Sequence, residues 1–173
     1  MAVYYIEQHL LSARVRTVIK DCDGKPVFLL VGSWGTRGDS ISIYQLDGEV
    51  LASAKQTAFS YKSRFDLYDR YEKVGSLSRL FSISRDFYFI KKLHWLATGD
   101  IKNQTYKIYH FNDKVMEMTK ETSYRGDFYR IDVSKKANAP LCICIASVLD
   151  YWARRESKVD ELITKKSVNL QLG

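Results

Sequence analysis

The residues of this chain best suited to chemistry are paired cations. Arg14 with Arg16, and Lys62 with Arg64, stand two positions apart. In an extended backbone that spacing sends both side chains to one face. Lys91 with Lys92 forms a third cluster, and Lys135/Lys136 and Arg154/Arg155 form two more. Such pairs suit phosphate groups, whether of lipid head groups or of nucleic acid. Acidic residues are interspersed among them, so ordinary solvated faces are the competing reading. The richest glycine segment, Gly32-Ser33-Trp34-Gly35-Thr36-Arg37-Gly38-Asp39, offers backbone amides to an anion and the charge of Arg37. It lies between two strand patterns, lacks a following helix and carries no Gly-Lys-Ser/Thr, so it is not a nucleotide phosphate loop. Its competing reading is a loop between hairpins. Trp34 at its tip is expected to be exposed, as at an interface or a membrane contact.

Other chemistries find little support. His9, His94 and His110 are far apart and lack metal-ligand spacing. Cys22, Cys142 and Cys144 are odd in number, and two sit in an apolar run, so buried, reduced thiols are expected rather than a disulfide framework or a zinc site. No nucleophile elbow or comparable motif links the serines, cysteines and aspartates. The expectation is a non-enzymatic protein with no metal and no cofactor.

At 173 residues with 46% hydrophobic and 27% charged residues, the chain suits one soluble domain with a substantial core. Its formal net charge of +7 favours anionic partners, or simply aids solubility. The opening Met1-Ala2-Val3-Tyr4-Tyr5-Ile6-Glu7 has no basic region followed by an apolar stretch. A cytoplasmic protein, peripheral at the membrane at most, is therefore expected.

The elements that must position these residues recur as a unit of strand, turn and strand. Arg16–Asp21 leads through Cys22-Asp23-Gly24 into Lys25–Val31, and Ser40–Leu46 leads through Asp47-Gly48 into Glu49–Lys55. Arg64–Asp69 with Lys73–Leu77, and Tyr106–Phe111 with Lys114–Met118 across Asn112-Asp113, repeat it. Asp-Gly supplies positive φ angles for tight turns, and Asn-Asp does so less comfortably. Period-two alternation, with Ile41 and Ile43 or Phe65 and Leu67 on one face, marks strands with one buried side. Val3–Leu10, Arg79–Ser82, Asp86–Lys91, Trp95–Lys102 and Asp127–Ser134 read as further strands, roughly a dozen in all. Tyrosine, at 12 residues, suits such surfaces.

The alternation stops at Leu141–Ala153. This segment is apolar in every direction, interrupted only by Ser147 and Asp150. It reads as a helix of about residues 139–156, capped by Asn138, with Pro140 in its first turn and Arg154 and Arg155 at its end. An all-apolar helix must be enclosed, and this one is shorter than the ~20 residues a bilayer requires. Enclosure by the chain's own sheet follows, with small residues such as Ala52, Ala54 and Gly75 making room. Residues 157–173 read as a polar tail, weakly docked or mobile.

In this order of elements the chain resembles the LURP-one-related proteins of the tubby C-terminal-like superfamily, including their small bacterial members. The Tyr4-Tyr5-Ile6 strand, the Val18-Ile19-Lys20-Asp21…Gly24…Val27 and Ile41-x-Ile43…Asp47-Gly48…Leu51 hairpins and the closing Leu141–Trp152 helix carry the resemblance, over residues 3 to 156. It implies an all-β domain at 1–156: a closed antiparallel barrel of roughly 12 strands around a hydrophobic C-terminal helix. The resemblance implies no established enzymatic activity. Tubby domains bind phosphoinositide head groups through basic residues, and the related scramblases act at membranes; none of those basic residues maps onto a particular position here. The expected function is binding of anionic phospholipid or another phosphorylated ligand through a basic surface drawn from Arg14, Arg16, Trp34, Arg37, Lys62, Arg64, Lys91 and Lys92. A protein-interaction or stress-response scaffold, or nucleic-acid binding, are the alternatives, with no transmembrane segment and no protein partner identified.

Overall fold

In the computed structural model, the structure describes residues 1–7, 14–34, 38–58, 64–80, 86–90, 92–100, 103–124 and 126–152. Twelve strands follow one another: β1 (Ala2–Glu7), β2 (Arg14–Asp21), β3 (Pro26–Ser33), β4 (Ser40–Gln45), β5 (Val50–Ala58) and β6 (Arg64–Asp69) make the first half. β7 (Glu72–Leu80), β8 (Asp86–Ile90), β9 (Trp95–Asp100), β10 (Thr105–His110), β11 (Asp113–Ser123) and β12 (Gly126–Val133) make the second. Each pairs antiparallel with its sequence neighbour, and β1 pairs with β12 from Ala2↔Val133 to Glu7↔Phe128, which closes the barrel. The expected Arg79–Ser82 strand is not separate; Arg79 and Leu80 end β7, paired with Tyr88 and Phe87.

Alternation decides which side chains face in. Ile41 and Ile43 on β4, Phe65 and Leu67 on β6, and Tyr129, Ile131 and Val133 on β12 are fully buried at every second position. A barrel of about eight strands is just filled by its own side chains, so twelve leave space for a helix about 10 Å across. That space holds α1, residues 139–152, of which 141–150 are all buried. Its contacts reach strands all round the wall. Trp152 stacks on Tyr88 of β8 (4.8 Å, 9°) and meets Phe65 edge-on at 5.2 Å. Cys144 accepts a backbone hydrogen bond from Ile43 of β4, and Tyr129 of β12 donates to Asp150. The second polar interruption, Ser147, satisfies its hydroxyl on the Ile143 carbonyl one turn back (2.9 Å).

Several local expectations change. Asn138 does not cap α1; it ends a short 3-10 turn, Lys136–Asn138, that runs straight into the helix. Residues 153–156 of the expected helix and the 157–173 tail lie outside the described residues. Ala52 and Ala54 are fully buried on the inner face, as expected of positions that make room. Gly75 makes room for a neighbour instead: a Cβ there would lie 2.9 Å from Cγ2 of Ile90.

The hairpins follow a tighter rule than Asp-Gly alone. Gly48 takes φ +98° while Asp47 does not turn positive; the Gly48 N–H donates to Gln45 O (3.0 Å) and the Gln45 N–H to Glu49 O (2.8 Å). This is a three-residue loop with a glycine bulge. Asp21–Lys25 repeats it with Gly24 at φ +76°. Asp21 Oδ1 accepts the Asp23 and Lys25 amides, and Asp47 Oδ1 accepts the Glu49 amide, which fixes both turns. At β10–β11 the turn residues are Phe111 and Asn112, not Asn112 and Asp113, and Phe111 itself sits at φ +51°.

Candidate functional site: a basic outer face

Because strands alternate in direction, the outer face of β5–β7 is set by register. Asp66 stands opposite Lys55 of β5 and Ser76 of β7. Lys73 lies one bulge further along β7, opposite Tyr68. The side chains converge on the single carboxylate. Lys73 Nζ lies 2.5 Å from Asp66 Oδ2, Ser76 Oγ donates to Oδ1 at 2.7 Å, and Arg64 Nε stands 3.4 Å away. Arg64 also donates to Ser76 Oγ at 3.0 Å, and Lys92 Nζ donates to the Lys73 carbonyl at 3.1 Å. Burial alone would push the Asp66 carboxyl up, but hydrogen bonds from Lys73 and Ser76 and the charges of Lys73 and Arg64 hold it below its ordinary value of 3.8.

One carboxylate thus serves Arg64 and Lys73, with Lys55 across from it and Lys92 at the edge. Such a face carries surplus positive charge with hydroxyls beside it, a chemistry suited to phosphate oxygens.

Of the sequence candidates, the structure brings Arg64 and Lys92 together here. Arg16 is exposed but lies on β2, four strands from β6, about 19 Å along the sheet. The backbone of Arg14 is placed in the same strand. Arg37, Lys62 and Lys91 lie outside the described residues. Sequence reading missed Lys55, Lys73, Asp66 and Ser76, because only pairing across three strands collects them.

Trp34 is the clearest correction. It is only 4% exposed, set edge-on to Phe65 at 5.0 Å and tilted on Tyr151 of α1 at 5.7 Å. An indole gains more by closing the barrel interior around the end of the helix than by standing in solvent. Cys22 is a second correction: it is exposed at the β2–β3 turn, whereas Cys142 and Cys144 are buried, and burial pushes both of those thiols up.

A groove of about 480 Å³ lies elsewhere, at the seam of β1 and β2. That ladder has two residue pairs, Tyr4↔Asp21 and Tyr5↔Lys20, where the neighbouring β2–β3 ladder runs from Arg14 to Lys20. Tyr5 and Phe128, edge-on at 5.6 Å, form one wall, and Glu7, Asp21, Glu121 and Asp127 outnumber Lys20 in the lining. Among the described residues, no helix is long and apolar enough to cross a membrane.

Comparison with known proteins agrees with this architecture. A protein of Bacillus subtilis (strain 168), the uncharacterized protein YxjI, is 23% identical over 150 residues, covering 87% of this chain and 93% of its own. An X-ray structure of a protein from Arabidopsis thaliana superposes with a TM-score of 0.57 at 13% identity, over 86% of this chain and 89% of that one, a likeness of fold. A family model described as LURP-one-related matches residues 2–150.

Proposed function

This chain belongs to the LURP-one-related family, and from that premise we propose that it is a non-enzymatic, cytoplasmic binding module for anionic phospholipid head groups or another phosphorylated ligand. The observation that carries this reading is the convergence of Arg64 and Lys73 on the one carboxylate of Asp66, with Lys55 paired across from it on β5 and Lys92 bonded to the Lys73 carbonyl. The occupied interior adds to it. Helix α1 fills the barrel, so a ligand is left the outer surface and the turn-bearing ends. The net charge of +7 acts in the same direction by drawing anions to the molecule.

Co-sedimentation with phosphatidylcholine vesicles, with and without phosphatidylserine or a phosphoinositide, tests the reading. Binding is expected to require the anionic lipid, to weaken with added salt, and to fall in a Lys55→Glu/Lys92→Glu variant. Competition by a soluble inositol phosphate separates a head-group ligand from the bilayer itself. A folded protein that binds neither vesicles nor inositol phosphates at low ionic strength would overturn it.

The β1–β2 seam favours a second reading, a protein-interaction module. Its acidic lining and short ladder suit an extended cationic peptide that adds its backbone to a strand edge. Saturable anisotropy of a labelled Lys/Val peptide, lost in Glu121→Lys, would support it; no binding would remove it.

A further inference from the structure

The barrel has two distinct ends. Every connection from an even-numbered strand to the next odd-numbered one falls at the end where β12 delivers the chain into α1. Neighbouring strands bring the corresponding turns side by side. Lys135 and Lys136 precede α1, Phe111 tips β10–β11, Lys92 lies between β8 and β9, and Arg70 and Tyr71 tip β6–β7. Arg70 and Tyr71 share a depression with Ala137 and Pro140 at the helix entrance.

Two of these tips hold aromatic rings out into solvent. Phe111 is 78% exposed, its ring touching His110 alongside it (4.7 Å), and Tyr71 is 86% exposed. Phe111 is also held at φ +51°, a left-handed conformation unfavourable for a residue with a Cβ and rare for a bulky one. Asn, which tolerates that conformation, stands next to it at position 112 and is not the residue used. A strained backbone that displays an aromatic ring with little burial in return points to a use outside the fold. The flanking charge says which use. On the arc from the β6–β7 turn to α1 the exposed cations Arg70, Lys92, Lys114, Lys135 and Lys136 outnumber the exposed acids Asp69, Glu72 and Asp113, and Lys135 and Lys136 have no acidic partner among the described residues.

Resting on the lipid reading above, we propose that this end of the barrel docks on an anionic bilayer, with Phe111 and Tyr71 entering the interface and Lys92, Lys135 and Lys136 against the head groups. Aromatic rings settle at the level of the head groups, and each nearby cation adds attraction to an acidic leaflet. The basic face of β5–β7 adjoins this end through Lys73 and Lys92.

The test uses the full chain with phosphatidylserine-containing vesicles, thermal melting beside co-sedimentation, and two variants. Phe111→Asn relieves the left-handed strain, so it is expected to raise the melting temperature while weakening vesicle association several-fold. Tyr71→Ser is expected to weaken association alone, and the double variant roughly tenfold. A ring that serves the fold predicts the reverse, a lower melting temperature with association unchanged, and would overturn the docking. Undiminished association of both variants would also overturn it while leaving the basic-face reading standing. Wild-type protein that binds inositol phosphate but no vesicle would remove the docking only, and protein that binds neither would remove both.

Discussion

Tyr129 on β12 donates its phenolic hydrogen to Asp150 on α1, and both residues are fully buried. The bond ties wall to plug and supplies one partner to a carboxylate held in an apolar interior.

Tyr129→Phe removes one donor to a buried carboxylate, a loss of about 1–3 kcal/mol. Urea denaturation should show a lower midpoint with an unchanged slope. An unchanged midpoint would mean the bond contributes nothing net.

Gly99 lies against the ring of Tyr106, where a Cβ would come within 2.2 Å of Cδ1. Gly99→Ala is expected to destabilise by about 1–3 kcal/mol through overpacking of a fully buried tyrosine. Gly75→Ala, which meets the Cγ2 methyl of Ile90 at 2.9 Å rather than a ring at 2.2 Å, should cost less, and the ranking can be read from paired melting curves.

The depressed carboxyl of Asp66 makes stability depend on pH in one direction. Its folded value lies below the unfolded one, so its contribution is complete above the ordinary value of 3.8 and is lost as pH falls through the folded value. Asp66→Asn should flatten that acid limb in denaturation curves compared from neutral pH downward. The same change leaves Arg64 and Lys73 uncompensated and should tighten adsorption to anionic vesicles, whereas lower affinity would count against the basic-face reading.

The cysteines give a simple check on the packing. Cys22 is exposed while Cys142 and Cys144 are buried in α1 with thiols pushed up by burial. A thiol reagent such as dithionitrobenzoate should therefore modify one site in the native protein and all three in denaturant. Rapid reaction of all three under native conditions would show that the helix is not held inside.

His94 occupies a left-handed conformation at φ +52° and is exposed. His94→Asn should raise stability by several tenths to about 1 kcal/mol, because asparagine tolerates that conformation better. Calorimetric melting would show it, and a loss of stability would mean the ring makes a contact worth keeping.

Much of the barrel was legible along the chain. Gly24 and Gly48 announced two hairpins, the alternation of Ile41 with Ile43 and Phe65 with Leu67 marked inward faces, and the apolar run of residues 141–149, broken only at Ser147, demanded enclosure. The β10–β11 turn was misplaced by one residue because propensity assigns left-handed backbone to asparagine, whereas the chain assigns it to Phe111. Trp34 was misread because its exposure depends on where the end of α1 comes to lie, over a hundred residues later. The Asp66 cluster was invisible for the same reason. Lys55, Lys73 and Ser76 become its neighbours only through strand register, which local spacing does not encode.

The closure of β1 on β12 carries a consequence for the order of folding. Ala2 has its partner at Val133, a separation of more than a hundred residues, and the helix that fills the interior follows β12 in the chain. Neither the seam nor the core can be completed before β12 and α1 are in place, so the closing ladder and the plug are the last parts to form. Long-range pairing of this kind is slow, and until α1 docks the inward-facing side chains of the open sheet lack their cover.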